Sequence, residues 1–239
     1  MSGHSKWAGI RHHKALVDKK RSNLFTKFAN DITVAARHGG GDPGFNPTLR
    51  AAIDAARAGN MPKDNIERAV KRGTGELGGA VVEELLYEGF GPGNVAMLVA
   101  VLTDNRNRAL ADIRTIFTKN SGRFAEAGGV AYQFTQRGVI RATVPAASES
   151  AFEEAVIEGG ADDYQLGDGH AVVYTSVPSL HTLRDALEAQ GIKADSAAVE
   201  YVANTPIEAP DSELEKIATL IEKFEDYDDV TAVYTNLAE

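Results

Sequence analysis

Apolar residues in the first third of the chain recur at helical spacing. Phe25, Phe28, Ala29, Ile32, Ala35 and Ala36 fall at i, i+3, i+4, i+7, i+10 and i+11, which predicts one amphipathic helix stopping at Gly39-Gly40-Gly41. Asn46 then offers an N-cap with Pro47 at the first helical position, and Leu49, Ala52, Ile53 and Ala56 make the next stripe. Pro62 opens a third helix carrying Ile66, Ala69 and Val70, expected to end at Gly73.

From residue 80 the period shortens. Val81–Phe90 and Val95–Thr103 read as strands joined by a Gly91-Pro92-Gly93-Asn94 turn. Leu110, Ile113, Ile116 and Phe117 define a helix, and a strand is expected near Ala131–Thr135, with a break at Gly138. Strand 139–144, helix 149–158, strand 163–167, strand 171–176, helix 179–189 and strand 196–203 follow. That order, β-α-β-β-α-β, is the split βαβ of ferredoxin-like folds. A helix at Ser212–Phe224 and a strand at Val230–Thr235 would complete a second unit of the same kind with the elements of 80–136. The expected fold class is therefore α+β in three domains, a helical one followed by two ferredoxin-like α/β domains, the third inserted into the second. The boundaries are 1–77 for the helical domain, 78–137 plus 204–239 for the second, and 138–203 for the third.

Charge is sorted along this layout. Residues 1–76 hold 14 Lys/Arg against 7 Asp/Glu, residues 77–141 hold 7 against 6, and residues 142–239 hold 4 against 21. One end suits a polyanion and the other would be repelled by it. The basic end starts with an arm in which Lys6, Arg11, Lys14, Lys19, Lys20, Arg21 and Lys27 face a lone acid, Asp18, with Trp7, His4, His12 and His13 interspersed. Cations interleaved with aromatic rings fit phosphate contact and base stacking. A solvated basic helix face is the plainer reading of such a run, but the arm has too few apolar residues to order itself around a core. Nucleic acid is the expected partner.

Other chemistries find little footing. A chain of 239 residues with 43% hydrophobic content can bury ordinary cores, and it has no cysteine for disulfides, thiolate metal sites or nucleophilic catalysis. The longest apolar stretch, Val95–Leu102, is too short for a bilayer, and the first residues lack the apolar segment of a secretory signal, so the cytoplasm is expected and a membrane partner is not. Gly73-Thr74-Gly75-Glu76-Leu77-Gly78 matches a dinucleotide-binding pattern, but it follows a helix and precedes a strand, the reverse of the required context. His12 and His13 are adjacent and chelate poorly together on a helix. Acidic pairs such as Asp162-Asp163 and Asp228-Asp229 lack convergent partners for acid–base work. The expectation is a non-enzyme with no metal, cofactor or small-molecule substrate.

Thr103-Asp104-Asn105-Arg106-Asn107-Arg108 sits between a strand and a helix, and arginine is disfavoured at a helix N-terminus. Arg106 and Arg108 need either local carboxylates or an external anion.

Several stretches also carry a resemblance. Gly3-His4-Ser5-Lys6-Trp7, followed by Ile10, His12, Lys14, Asp18, Arg21, Phe25 and Lys27, resembles the opening of the YebC/PmpR family. The likeness continues through Gly39–Pro43, Asn46-Pro47 with Leu49-Arg50, Asn60–Ile66, Arg68–Gly73, Tyr87–Gly93 and Leu102–Arg108. Asn94, Ala100 and Gly129 depart from the usual family residues. The resemblance implies a three-domain cytoplasmic protein. It also implies regulation of gene expression through nucleic acid, as probable DNA-binding transcriptional regulators, mitochondrial translational activators, or bacterial factors relieving ribosomes stalled on proline-rich stretches.

Between these targets the residues favour RNA. The helices at 47–58 and 62–72 carry Arg50, Arg57, Lys63, Arg68, Lys71 and Arg72, which permits a duplex groove contact. The densest basic cluster, however, is the arm at 3–21, whose Trp, His, Lys and Gly suit irregular RNA with splayed bases. The expected binding set is Lys6, Trp7, Arg11, His12, Lys14, Lys20, Arg21, Lys27, Arg50, Lys63, Arg68, Lys71, Arg72, Arg106 and Arg108. The favoured reading is a ribosome- and ribosomal-RNA-binding translation factor, and the alternative is a DNA-binding transcriptional regulator using the same basic domain.

Overall fold

The three apolar stripes fold as α1 (Arg21–Gly39), α2 (Pro47–Ala58) and α3 (Lys63–Thr74) in a computed structural model that describes residues 21–78 and 82–238. Ile32, Ala35 and Ala36 of α1 bury against Leu49, Ile53 and Ala56 of α2 and Ile66 and Ala69 of α3. Small residues on α1 let the helices approach closely. Gly73 lies inside α3 rather than ending it, because a Cβ there would sit 2.4 Å from the Thr33 carbonyl oxygen and 2.7 Å from the Ala36 Cβ. The helix stops two residues later at Gly75, whose φ of +80° supplies the left-handed cap.

The chain divides into two compact units, one reaching Tyr132 and including Thr205–Glu239, the other Gln133–Asn204. The first holds the helical region and a four-stranded antiparallel sheet, β1 (Glu83–Phe90), β2 (Ala96–Thr103), β3 (Arg123–Ala125) and β8 (Val230–Thr235), in the order β3-β1-β2-β8. Strand β2 is buried on both faces, which explains its unbroken apolar run. Tyr87, Met97, Val99 and Val101 pack on α4 (Arg106–Lys119) through Ala109, Ile113 and Phe117, and on α7 (Asp211–Glu225) through Ile217, Leu220 and Phe224. The alternating position Glu88 is buried, and its carboxylate accepts N–H bonds from Gly128, Val130 and Ala131 at 2.7, 2.6 and 2.8 Å. A charge that would be costly when unpaired instead pins the 128–131 loop to the sheet.

The second unit holds β4 (Phe134–Thr143), α5 (Glu149–Glu158), β5 (Asp163–Gly167), β6 (His170–Thr175), α6 (Leu180–Ala189) and β7 (Ala194–Ala203), with strand order β5-β6-β4-β7 and every neighbour antiparallel. Both crossovers are split, β4–α5–β5 around β6 and β6–α6–β7 around β4, the ferredoxin-like arrangement. The sheet of the first unit reaches the same two-layer form by another connection. There β1 and β2 form a direct hairpin, and β2–α4–β3 is split around β1.

The structure differs from the sequence pattern at β4. The strands expected at 131–135 and 139–144 are one strand, β4, and residues 131–133 form a single 3-10 turn. Gly138 does not break it: a Cβ there would meet Thr175 Cγ2 at 2.9 Å and Leu180 Cβ at 3.0 Å, so the glycine admits α6 against the sheet. The short edge strand β3 was not anticipated.

Candidate nucleic-acid interface

The arm residues Lys6, Trp7, Arg11, His12, Lys14 and Lys20 lie outside the described residues. Arg21 is the first residue of α1, and Lys27 is half-buried one turn before Asp31. Beyond α1 the cations divide by pairing. Arg57 is held by Asp54 at 3.4 Å, and Lys63 by Glu67 at 3.5 Å. Arg50, Arg68, Lys71 and Arg72 are exposed, and none forms an ion pair among the described residues. Arg68, Lys71 and Arg72 stand at i, i+3 and i+4, opposite the buried Ile66 and Ala69, so α3 turns a basic face outward while its other face is in the core. Lys71 and Arg72 also lie in the last turn of α3, where the helix dipole favours cations without a local acid.

The segment joining α1 to α2 is braced by hydrogen bonds. Asn46 is buried, its amide donates to the Ala35 and Gly40 carbonyls at 2.8 and 2.9 Å, and its Oδ1 caps α2 by accepting from the Leu49 N–H at 3.0 Å. The Gly44 N–H bonds Asp42 Oδ1 at 2.8 Å, and the Phe45 and Asn46 N–H groups bond the Asp42 carbonyl. At the tip of this braced turn Phe45 is 89% exposed. An apolar residue just before an N-cap commonly staples to an apolar residue four positions into the helix. Here that position is Arg50, so the ring is left in solvent. Phe45 stands outside the basic pattern of the sequence, and only its mismatch with Arg50 at the staple position marks it there.

Elsewhere in the first unit, α1 is tied to β1 by His38 Nε2, 3.0 Å from Glu84, and to the residue just before that strand by Arg37, which donates to the Val82 carbonyl. Among the described residues no group of three or more His, Asp or Glu could hold a metal ion, and no helix is long and apolar enough to cross a membrane.

The two arginines at the start of α4 separate. Arg108 Nη2 bonds Asp104 Oδ1 at 2.9 Å and Asp229 Oδ2 at 3.0 Å, and Asp229 also accepts from the Thr103 hydroxyl at 2.8 Å. Tyr227 adds its phenol, which donates to Asp112 at 2.8 Å. Bonds to Asp229, Tyr227 and Asp104 raise the Arg108 pKa, so its charge is held by local carboxylates. Arg106 is exposed and has no ion pair among the described residues. The structure thus pairs Arg108 internally and leaves Arg106 open.

The chain matches two family models, the TACO1/YebC protein N-terminal domain over residues 5–76 and the TACO1/YebC second and third domain over residues 82–237. It is 50% identical over 237 residues to a "probable transcriptional regulatory protein" of Treponema denticola, covering 99% of this chain and 96% of that one. A protein of the same name from Moorella thermoacetica is 50% identical over 241 residues, covering 99% and 95%. Among solved structures, a conserved hypothetical protein of Aquifex aeolicus superposes with a TM-score of 0.87 at 40% identity, covering 98% of this chain and 97% of that one.

Proposed function

The chain belongs to the TACO1/YebC family, and from that premise we propose that it is a non-enzymatic, nucleic-acid-binding regulator of gene expression that acts on the ribosome through ribosomal RNA. The observation that carries this reading is the outward face of α3, where Arg68, Lys71 and Arg72 form no ion pair among the described residues, in a chain whose first 27 residues are also basic in sequence. Cations left unpaired on a folded surface keep their charge for an external anion, and phosphate contacts of this kind supply most of the affinity for nucleic acid. The names of the relatives agree with a regulator.

RNA is favoured over duplex DNA by what accompanies the charge. A helix that reads the major groove presents several base-reading side chains along one face. On α2 and α3 the basic positions are interrupted by Asp54, Asp64 and Glu67. Phe45, held out on a braced turn just before α2, offers a stacking plane that an unpaired base can use and a stacked duplex cannot. The arm would grip RNA through Lys6, Trp7, Arg11, His12, Lys14, Lys20, Arg21 and Lys27, with Arg50, Lys63 and Arg106 adding contacts. Arg108 is withdrawn from that set by its carboxylates.

The test is a salt-titrated competition in which the full chain meets purified ribosomes and genomic duplex DNA together. Retention on ribosomes at physiological salt, lost when Lys6, Arg11 and Lys14 are all changed to Glu, is the expected result. Retention on a narrow subset of DNA with ribosomes ignored would replace it with the transcriptional reading.

A further inference from the structure

The segment from Arg106 to Arg123 carries five cations and one acid, Asp112, although the chain after residue 141 is strongly acidic. Arg108 and Asp112 are engaged in the Asp229–Tyr227 cluster. Besides Arg106 at the helix start, that leaves Arg114, Lys119 and Arg123 exposed, on α4 and at the edge strand β3. Two of them are preset by aromatic rings. Arg114 Cζ lies 4.7 Å from the centre of the Phe124 ring, and Arg123 Cζ lies 4.6 Å from that of Phe90, its cross-strand partner in the β1–β3 register. A guanidinium on a ring loses less freedom on binding, and its N–H edges and outer face stay available. Arg114, Thr115, Thr118 and Lys119 line a shallow groove of about 260 Å³ along α4. Arg123 and Ser121 help line a neighbouring recess of about 480 Å³ beside the Gly91–Asn94 turn.

Local acids do not account for these charges. Glu126 lies 3.7 Å from Arg114 but is 93% exposed, a weak pairing. Glu213, on the recess wall, is engaged by Lys216 at 3.0 Å. Lys119 and Arg123 form no ion pair among the described residues. We infer that the outer face of α4 and the edge at β3 form a second RNA-binding surface, in which Arg114, Lys119 and Arg123 take backbone phosphates and the stacked Arg123 presents its outer face to a base. The inference rests on the ribosome-directed reading and adds a contact outside the helical region.

The experiment uses the full chain and purified ribosomes across a salt titration. Replacing Arg114, Lys119 and Arg123 by Gln should weaken binding roughly tenfold at physiological salt and flatten the log K against log salt slope by about 2, as expected for three lost phosphate contacts. All three side chains are exposed, and an unchanged thermal unfolding curve checks the fold. Arg114→Lys with Arg123→Lys keeps the charge, so it should preserve the slope while losing two- to threefold in affinity; a slope as flat as that of the Gln triple would overturn the phosphate assignment. Wild-type behaviour of the Gln triple, with Lys6, Arg11 and Lys14 reversal still abolishing binding, would overturn this surface and leave the ribosome reading intact. Failure of the wild-type chain to bind ribosomes would remove that reading and this inference together. Equal losses on ribosomes and duplex DNA would replace the RNA assignment with a general polyanion face.

Discussion

Residues 21–78 hold nine Lys/Arg and six Asp/Glu, whereas Gln133–Asn204 hold four and eleven. In the second unit, three of the four cations are turned on local acids. Arg141 makes a two-pronged bond to Glu200 at 2.5 and 2.9 Å, Arg184 meets Asp185 at 2.6 Å, and Arg137 lies 3.9 Å from Asp162. In the helical region, Arg50, Arg68, Lys71 and Arg72 form no ion pair among the described residues. Both regions bury ordinary apolar cores, so packing does not impose the difference. Net charge alone would call one basic and the other acidic. Pairing adds that four cations of the helical region, Arg50, Arg68, Lys71 and Arg72, have no acid partner among the described residues and are open to an external anion.

Charge reversal breaks the comparison most directly. Arg68→Glu, Lys71→Glu and Arg72→Glu together should lower ribosome affinity roughly 100-fold at physiological salt, because three phosphate contacts become repulsions. Arg137→Glu, Arg141→Glu and Arg184→Glu should leave ribosome affinity unchanged and instead lower the unfolding midpoint. Equal losses of binding in the two triples, measured by co-sedimentation, would show that only total charge matters.

Phe45→Ala comes next. It removes a ring that is 89% exposed and makes no core contact, so folding stability should hold, while affinity for an unstructured RNA should fall about tenfold, the loss of one stacking partner. Phe45→Trp should restore binding and show fluorescence quenching on titration with RNA. Unaltered affinity in the alanine variant would make Phe45 a bystander.

Most of the fold was legible because its elements announce themselves locally. The apolar stripes of α1 to α3, the capping pair Asn46-Pro47 and the β-α-β-β-α-β order of the second unit all lie within short windows. Gly73 and Gly138 misled for a shared physical reason. Each reads as a break in its own segment, yet each is there because a distant element needs the missing Cβ's space, α1 in one case and Leu180 in the other. The three-residue β3 is too short to show a period. The basic character of α3 was legible, but whether a given cation was free was not. Arg57 and Lys63 are paired and Arg68 has no ion pair among the described residues, a matter of side-chain placement.

A smaller effect sharpens the acidic side. Arg141→Met removes the Glu200 pair from the second sheet, where both side chains are partly covered, and should cost about 1 kcal/mol of that unit's stability with no change in RNA affinity. Thermal unfolding of the full chain, set beside ribosome binding, reads both.

The smallest expected effect concerns two neighbours of identical chemistry. Arg106 and Arg108 are two residues apart at the start of α4, and the sequence left both open to either a carboxylate or an external anion. Their fates differ because Asp229, 121 positions from Arg108, arrives beside only one of them. Arg106→Gln should therefore weaken ribosome binding two- to threefold and reduce the salt slope by just under 1, one phosphate contact, while leaving the unfolding curve in place. Arg108→Gln should do the reverse, preserving binding and lowering the midpoint as Asp104 and Asp229 lose their shared cation. The same cluster sets a pH signature. Burial, the bond to Asp112 and the charge of Asp229 raise the Tyr227 pKa above its ordinary 10.0. The unfolded chain then gives up that proton first, so the stability Tyr227 contributes is complete below pH 10 and is withdrawn as pH rises beyond it. Tyr227→Phe should remove that alkaline component from a stability–pH profile and leave RNA affinity untouched. An Arg108→Gln variant that lost binding instead of stability would place this cluster at the RNA surface and erase the distinction between paired and open cations.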